Sequence, residues 1–85
     1  MTKYKWVFVE SEEYLLTDDE YQLYADGKDT HIRLQCCAYA GGYSVNSSEY
    51  QNGRLIAVTD HGVIKSLNKA KKKAIHIYET QQKTA

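Results

Sequence analysis

The chain has 85 residues, 42% of them hydrophobic, and 11 Lys+Arg against 11 Asp+Glu, so its formal net charge is zero. A chain of that length makes one small domain over residues 1–85, burying about 60–65% of its unfolded surface. No apolar run approaches the roughly 20 residues that span a bilayer, no Gly/Ser-rich linker separates two units, and the two cysteines are too few for a secreted disulfide framework.

The zero hides a gradient. Residues 1–29 carry eight acids against three lysines, a balance of −5, residues 30–60 are neutral, and residues 61–85 carry six lysines against Glu79, a balance of +5. A chain split in this way can attract opposite partners at its two ends, or pair those ends with each other. The apolar stretch in MTKYKWVFVESEE is short and soon acidic, unlike a signal peptide, so a cytoplasmic location is expected.

Tyr4–Glu10 is aromatic and β-branched on both faces, which reads as a central strand. In LLTDDEYQLYADGK, Thr17 and Glu20 have capping-box spacing. Asp18 and Asp19 suit the positive end of a helix dipole, and Gly27 is placed to stop a helix. The expectation is a short helix over residues 18–25. HIRLQCCAY alternates, with Ile32, Leu34, Cys36 and Ala38 on one face and His31, Arg33, Gln35 and Cys37 on the other, as in a half-buried strand. One cysteine is expected in the core and its neighbour partly exposed, since a bond between adjacent cysteines is strained.

Gly41–Gly42 marks a turn, YSVNSSEY a weaker strand, and Asn52–Gly53 the strongest hairpin signal in the chain. RLIAVT is a further strand. Asp60–His61–Gly62 should break it, and VIKS adds a short strand. The last helix is expected to start with Ser66 as N-cap and run to about Gln82. At about 100° per residue, Leu67, Ala70, Ala74, Ile77 and Tyr78 form one stripe, with Lys71 at its edge. Lys69, Lys72, His76 and Lys83 form the opposite row, extended by Lys65 and flanked by Lys73. The expected fold is α+β: an antiparallel sheet of about four strands, a short helix after strand one, and a long C-terminal helix packed on one face.

Catalytic constellations are thin. His31, His61 and His76 have no Cys or carboxylate at zinc-ligand spacing, Gly41–Gly42 lacks the residues of a phosphate loop, and a Cys37/His pair would have to be made by the fold. The expectation is a non-enzymatic protein with no metal and no cofactor. Three features point to binding. The basic face of the last helix (Lys65, Lys69, Lys72, Lys73, His76, Lys83) can meet phosphate, an acidic protein surface or only water. Arginine is absent from it, so any nucleic acid would be held by charge and shape rather than by base readout. An acidic, tyrosine-bearing patch (Glu10, Glu12, Glu13, Tyr14, Asp18, Asp19, Glu20, Tyr21) can dock on a basic surface. Eight tyrosines against one Phe and one Trp suit half-exposed interface positions.

Two resemblances follow from GVIKSLNKAKKKAIHIY. Ser66, Lys69, Ala70, Lys72, Lys73 and Ala74 resemble the strand-to-helix junction of double-stranded-RNA-binding domains, which presents lysines to phosphates. The run from Ser66 to Ala74 is also similar to the helix start in small accessory proteins of phages and mobile elements, the anti-CRISPR and other anti-defence inhibitors. That resemblance implies stoichiometric blocking of a host protein or nucleoprotein complex by a monomer or homodimer in the host cytoplasm. The first implies a nucleic-acid-binding module.

Overall fold

The computed structural model describes residues 1–10, 19–37 and 41–84. They form five strands and one helix: β1 (Tyr4–Val9), β2 (Glu20–Ala25), β3 (Lys28–Cys37), β4 (Gly42–Gln51), β5 (Arg54–Ile64) and α1 (Leu67–Thr84). The strands lie in one sheet in chain order, each antiparallel to the next, and α1 packs on β3, β4 and β5. No helix among the described residues is long and apolar enough to cross a membrane.

The α+β architecture with an antiparallel sheet and a C-terminal helix is as the sequence implies, but the first half differs. Residues 20–25 are strand β2, not a helix. Asp26 and Gly27 have φ of 51° and 79°, the left-handed pair of a type I′ turn. They close a tight β2–β3 hairpin in which Ala25 faces Lys28. Tyr21, Leu23 and Ala25 then project alternately onto the face covered by α1. The expected N-cap Thr17 and first-turn Asp18 lie outside the described residues, and Glu20, the capping partner of Thr17, opens a strand. The sheet therefore has five strands, not four.

β1 is an edge strand rather than a central one. Its two apolar faces have different causes. Tyr4 and Trp6 pack against the core, whereas Val9, on the other face, is exposed. The Asp60–His61–Gly62 break is a bulge instead: the pairs Asn46↔Asp60 and Ser44↔Val63 leave His61 and Gly62 opposite Val45 alone, and β5 continues through it. VIKS is thus the end of β5. Asn52 and Gly53, at φ 53° and 77°, make the expected β4–β5 turn.

Cross-strand register builds the core. Trp6 faces Leu23, Tyr21 faces Leu34, and Leu34 faces Val45. Leu23, Ile32, Leu34 and Val45 are fully buried with Ala70 and Ala74 of α1. Leu67, Ile75, Ile77 and Tyr78 add the rest of the helix stripe. The alanines matter because a short side chain lets the helix backbone approach the sheet closely. Ser66 accepts a hydrogen bond from the Lys69 N–H at 3.4 Å, and its carbonyl accepts from Ala70, the N-cap expected of serine. Cys37 is the buried cysteine and Cys36 is half-buried, the reverse of the order that simple alternation assigns; neither is in a disulfide.

Candidate interaction surfaces

The apolar stripe of α1 fixes the orientation of its other side. Lys69, Lys72, Lys73, His76 and Lys83 are exposed on the side of α1 away from that stripe, and Lys65, also exposed, lies just before the helix. Lys69, the Lys72–Lys73 pair and His76 follow one another at about one turn, or 5.4 Å, and Lys83 stands two turns further on. Among the described residues no lysine of α1 forms an ion pair, and every ion pair involves Asp29 or Arg33. Glu79, the one acid of the helix, accepts a hydrogen bond from the Tyr4 hydroxyl at 3.2 Å. Burial, reinforced by that carboxylate, raises the Tyr4 pKa. Among the described residues, no ion pair joins a lysine of α1 to an acid of residues 1–29.

Two lysines have structural duties. Lys71 turns inward, its ammonium 5.6 Å from the Trp6 ring centre and 5.3 Å from that of Tyr21. These cation–π contacts fasten α1 over β1 and β2. Lys73 donates to the His61 carbonyl at 3.0 Å, tying the helix to the β5 bulge while its stem stays exposed. The His61 ring is 2.8 Å from the hydroxyl of Ser47, which is buried. The bond satisfies a polar group in the core.

The acidic patch is divided. Glu12, Glu13, Tyr14 and Asp18 lie outside the described residues. Glu10 and Asp19 flank that segment at the end of β1 and the start of β2. Glu20 is on the sheet face opposite α1, where its carboxylate is 3.3 Å from Arg33 Nε. Tyr21 points the other way, into the core, with its ring against Phe8 and Tyr43 at 4.9 and 6.3 Å. Burial raises its pKa, helped by Cys36. Glu20 and Tyr21 therefore cannot act on one surface, because adjacent strand residues project to opposite faces.

No protein-family model, curated protein or solved structure matches the chain. Among the described residues no group of three or more His, Cys, Asp or Glu could hold a metal ion.

The sheet face opposite α1 is open and polar at its centre. Gln22, Arg33, Asn46 and Asp60 stand in one cross-strand row. Arg33 is locked: both terminal nitrogens reach Asp29, at 2.9 and 2.8 Å. This clamp spans a bulge in which Thr30, His31 and Ile32 face Leu23 alone. His31 sits at φ 61°, its N–H donating to Asp29 Oδ1 and its ring against Tyr50 at 4.4 Å. The Arg33 hydrogen bonds hold the Asp29 carboxyl below its ordinary pKa, against partial desolvation.

A pH dependence follows. A carboxyl with a depressed folded-state pKa stabilises the fold above its unfolded pKa, and that contribution disappears as pH falls through the folded value. Asp29→Asn is expected to cost about 1–2 kcal/mol at neutral pH. The gap should narrow on acidification below about pH 4, the unfolded carboxyl range. Urea midpoints of both proteins across that range test this. A gap independent of pH would mean that Asp29 acts by shape and not by charge.

Tyr50, a tyrosine of the kind expected at half-exposed positions, is 48% exposed. Beside it Leu55, Ile56 and Val58 are exposed at 54%, 56% and 58%, which the sequence reading missed. The signal was present in RLIAVT. Its apolar residues do not alternate cleanly, so a strand at a sheet edge cannot bury them all.

Proposed function

We propose that this protein works by stoichiometric binding. In this reading it occupies a negatively charged surface of a host protein or nucleoprotein complex with the outer face of α1, as small phage-encoded anti-defence inhibitors do. The observation that carries the reading is the basic row itself. It is exposed, not neutralised by ion pairs among the described residues, and, from Lys69 onward, held in place by a buried stripe on the same helix. Such a row speeds association and selects acidic surfaces. Glu10 and Asp19 begin a second, acidic pole that a partner with mixed charge could also use.

A second reading is a small nucleic-acid-binding module. The turn-by-turn spacing of lysines favours it, since each can meet a phosphate as a point charge. The row contains no arginine, so base recognition from this face is not expected.

One experiment separates the two. A Lys65/Lys69/Lys72/Lys73→Glu variant and the wild type are compared in capture of complexes from native host cells and in binding to mixed-sequence duplex at low and moderate salt. Host-complex binding is expected to fall at least about tenfold in the variant, with weak duplex binding. Tight, steeply salt-dependent duplex binding without a host protein would favour the second reading. Capture that is indifferent to the reversal would overturn both.

A further inference from the structure

The two edges of the sheet are built differently. β1 has six residues and carries an exposed Lys5, a short, charged edge of the kind that discourages pairing. β5 has eleven residues, without lysine or proline, and every residue from Arg54 to Asp60 is exposed. Beyond Ile32↔Ser47 no pairing joins β4 to β3, yet β4 stays paired with β5 as far as Gln51↔Arg54. Residues 48–58 therefore form a two-stranded arm that leaves the β3 ladder, touching β3 through the His31–Tyr50 ring contact, and bears Tyr50, Leu55, Ile56 and Val58 at about half exposure. A two-stranded ribbon of this kind is marginal alone, and a long edge that is apolar between its two charges invites another strand.

The charges on β5 identify the occupant. Arg54 and Asp60 are its only formal charges, and they lie symmetrically about Ala57. In an antiparallel pair of β5 strands related by a two-fold axis at Ala57, Arg54 faces Asp60 of the second copy, and Asp60 faces Arg54 of the second copy. Ile56 then faces Val58, and Leu55 faces Thr59. Moving the axis one residue either way leaves both charges opposite uncharged side chains. An isologous contact requires this kind of self-complementarity. The extra residue at Ile56, which the pairs Glu49↔Ala57 and Tyr50↔Leu55 leave unmatched, raises the local twist; two copies related by a two-fold share that twist.

We infer that the occupant of the β5 edge is a second copy of this chain, giving a homodimer with a ten-stranded sheet continuous across the two-fold axis. The basic helix faces are then carried on one rigid body as a pair. The inference does not depend on the proposed function, since it concerns residues 54–60 of β5, while the one hydrogen bond from the lysine row to this strand goes to His61.

Sedimentation of the full chain across a concentration series tests it. The wild type should move from 9.8 kDa to twice that mass. Arg54→Asp, on an exposed side chain, should weaken self-association about tenfold by setting like charges opposite each other twice. The exchange Arg54→Asp with Asp60→Arg should restore it. Val58→Lys, which puts a charge on the paired edge, should abolish it while the far-UV spectrum stays native. A wild type that remains monomeric at high micromolar concentration would overturn the inference and give the edge a different occupant. So would a dimer indifferent to Arg54→Asp.

Discussion

Gly42→Ala is expected to be among the most destabilising single changes in the sheet, although it adds one methyl group. A Cβ built at Gly42 lies 2.7 Å from the Ile64 carbonyl oxygen and 3.0 Å from both the Ile64 carbonyl carbon and Val63 Cγ1. Two of those three atoms are backbone, so a rotamer change cannot relieve the contact. Gly42 stands beside the last ladder positions of β4 and β5, where Tyr43 faces Ile64, and Ile64 leads directly into the N-cap Ser66. Separating the strands there disturbs the point from which α1 departs. The cost should be about 1–3 kcal/mol, or roughly 4–8 °C in melting temperature for each kcal/mol in a domain of this size. Gly53→Ala is the useful comparison. Nothing lies within 4 Å of a Cβ at Gly53, but its φ is +77°, so only the backbone conformation is strained and the loss should stay near 1 kcal/mol. Thermal melts of the two variants separate crowding from conformational strain. Equal losses would mean that the β4–β5 junction yields to the added methyl.

Much of the second half was legible in the sequence because each element there follows one rule. Asn52–Gly53 is a turn with a single common solution. The helix has an N-cap, a continuous apolar stripe and a polar back, and all five stripe residues pack as expected. The first half was harder because two rules compete over the same residues. Thr17, Asp18 and Glu20 satisfy helix capping locally, while Tyr21, Leu23 and Ala25 satisfy strand alternation. Asp26–Gly27 suits both a helix stop and a type I′ turn. Pairing decides between them: β2 gains a ladder on each side, with β1 and with β3, and six to eight residues of isolated helix have no comparable return. The basic row was readable because periodicity reports which side of a helix is wet. Edge strands are not readable in that way. The apolar side chains of β1 and β5 resemble those of a buried strand, and only the strand order shows that one face or one edge has no cover. The Asp29–Arg33 clamp was hidden for a related reason. Four residues apart on an ideal strand, these side chains would stand about 13 Å apart, and the bulge at Thr30–His31 brings them together.

Ala74→Leu should be the change that most directly couples the fold to the proposed function. Ala74 is fully buried against the sheet, as is Ala70 one turn earlier. Three added carbons at that point have no room at native packing density, so the helix must tilt or lift, at a cost of about 1–3 kcal/mol. Ala74→Gly removes a methyl instead and weakens the helix interior by about 1 kcal/mol. Loss of stability in both directions is the mark of a seat fitted to one side-chain size. A gain from leucine would reveal a void beneath the helix and overturn this account. The two variants should differ in binding. Ala74→Gly keeps the helix at its native height, so the lysine row and its affinity for a negatively charged partner should persist once the protein is folded. Ala74→Leu displaces α1 along with Lys71, whose contacts with Trp6 and Tyr21 depend on close approach, and moves the row relative to the rest of the surface. Affinity should then fall although every lysine remains, measured at a temperature where both variants are folded. If affinity is unchanged, the partner senses the charge of α1 and not its position, and contact is confined to the helix.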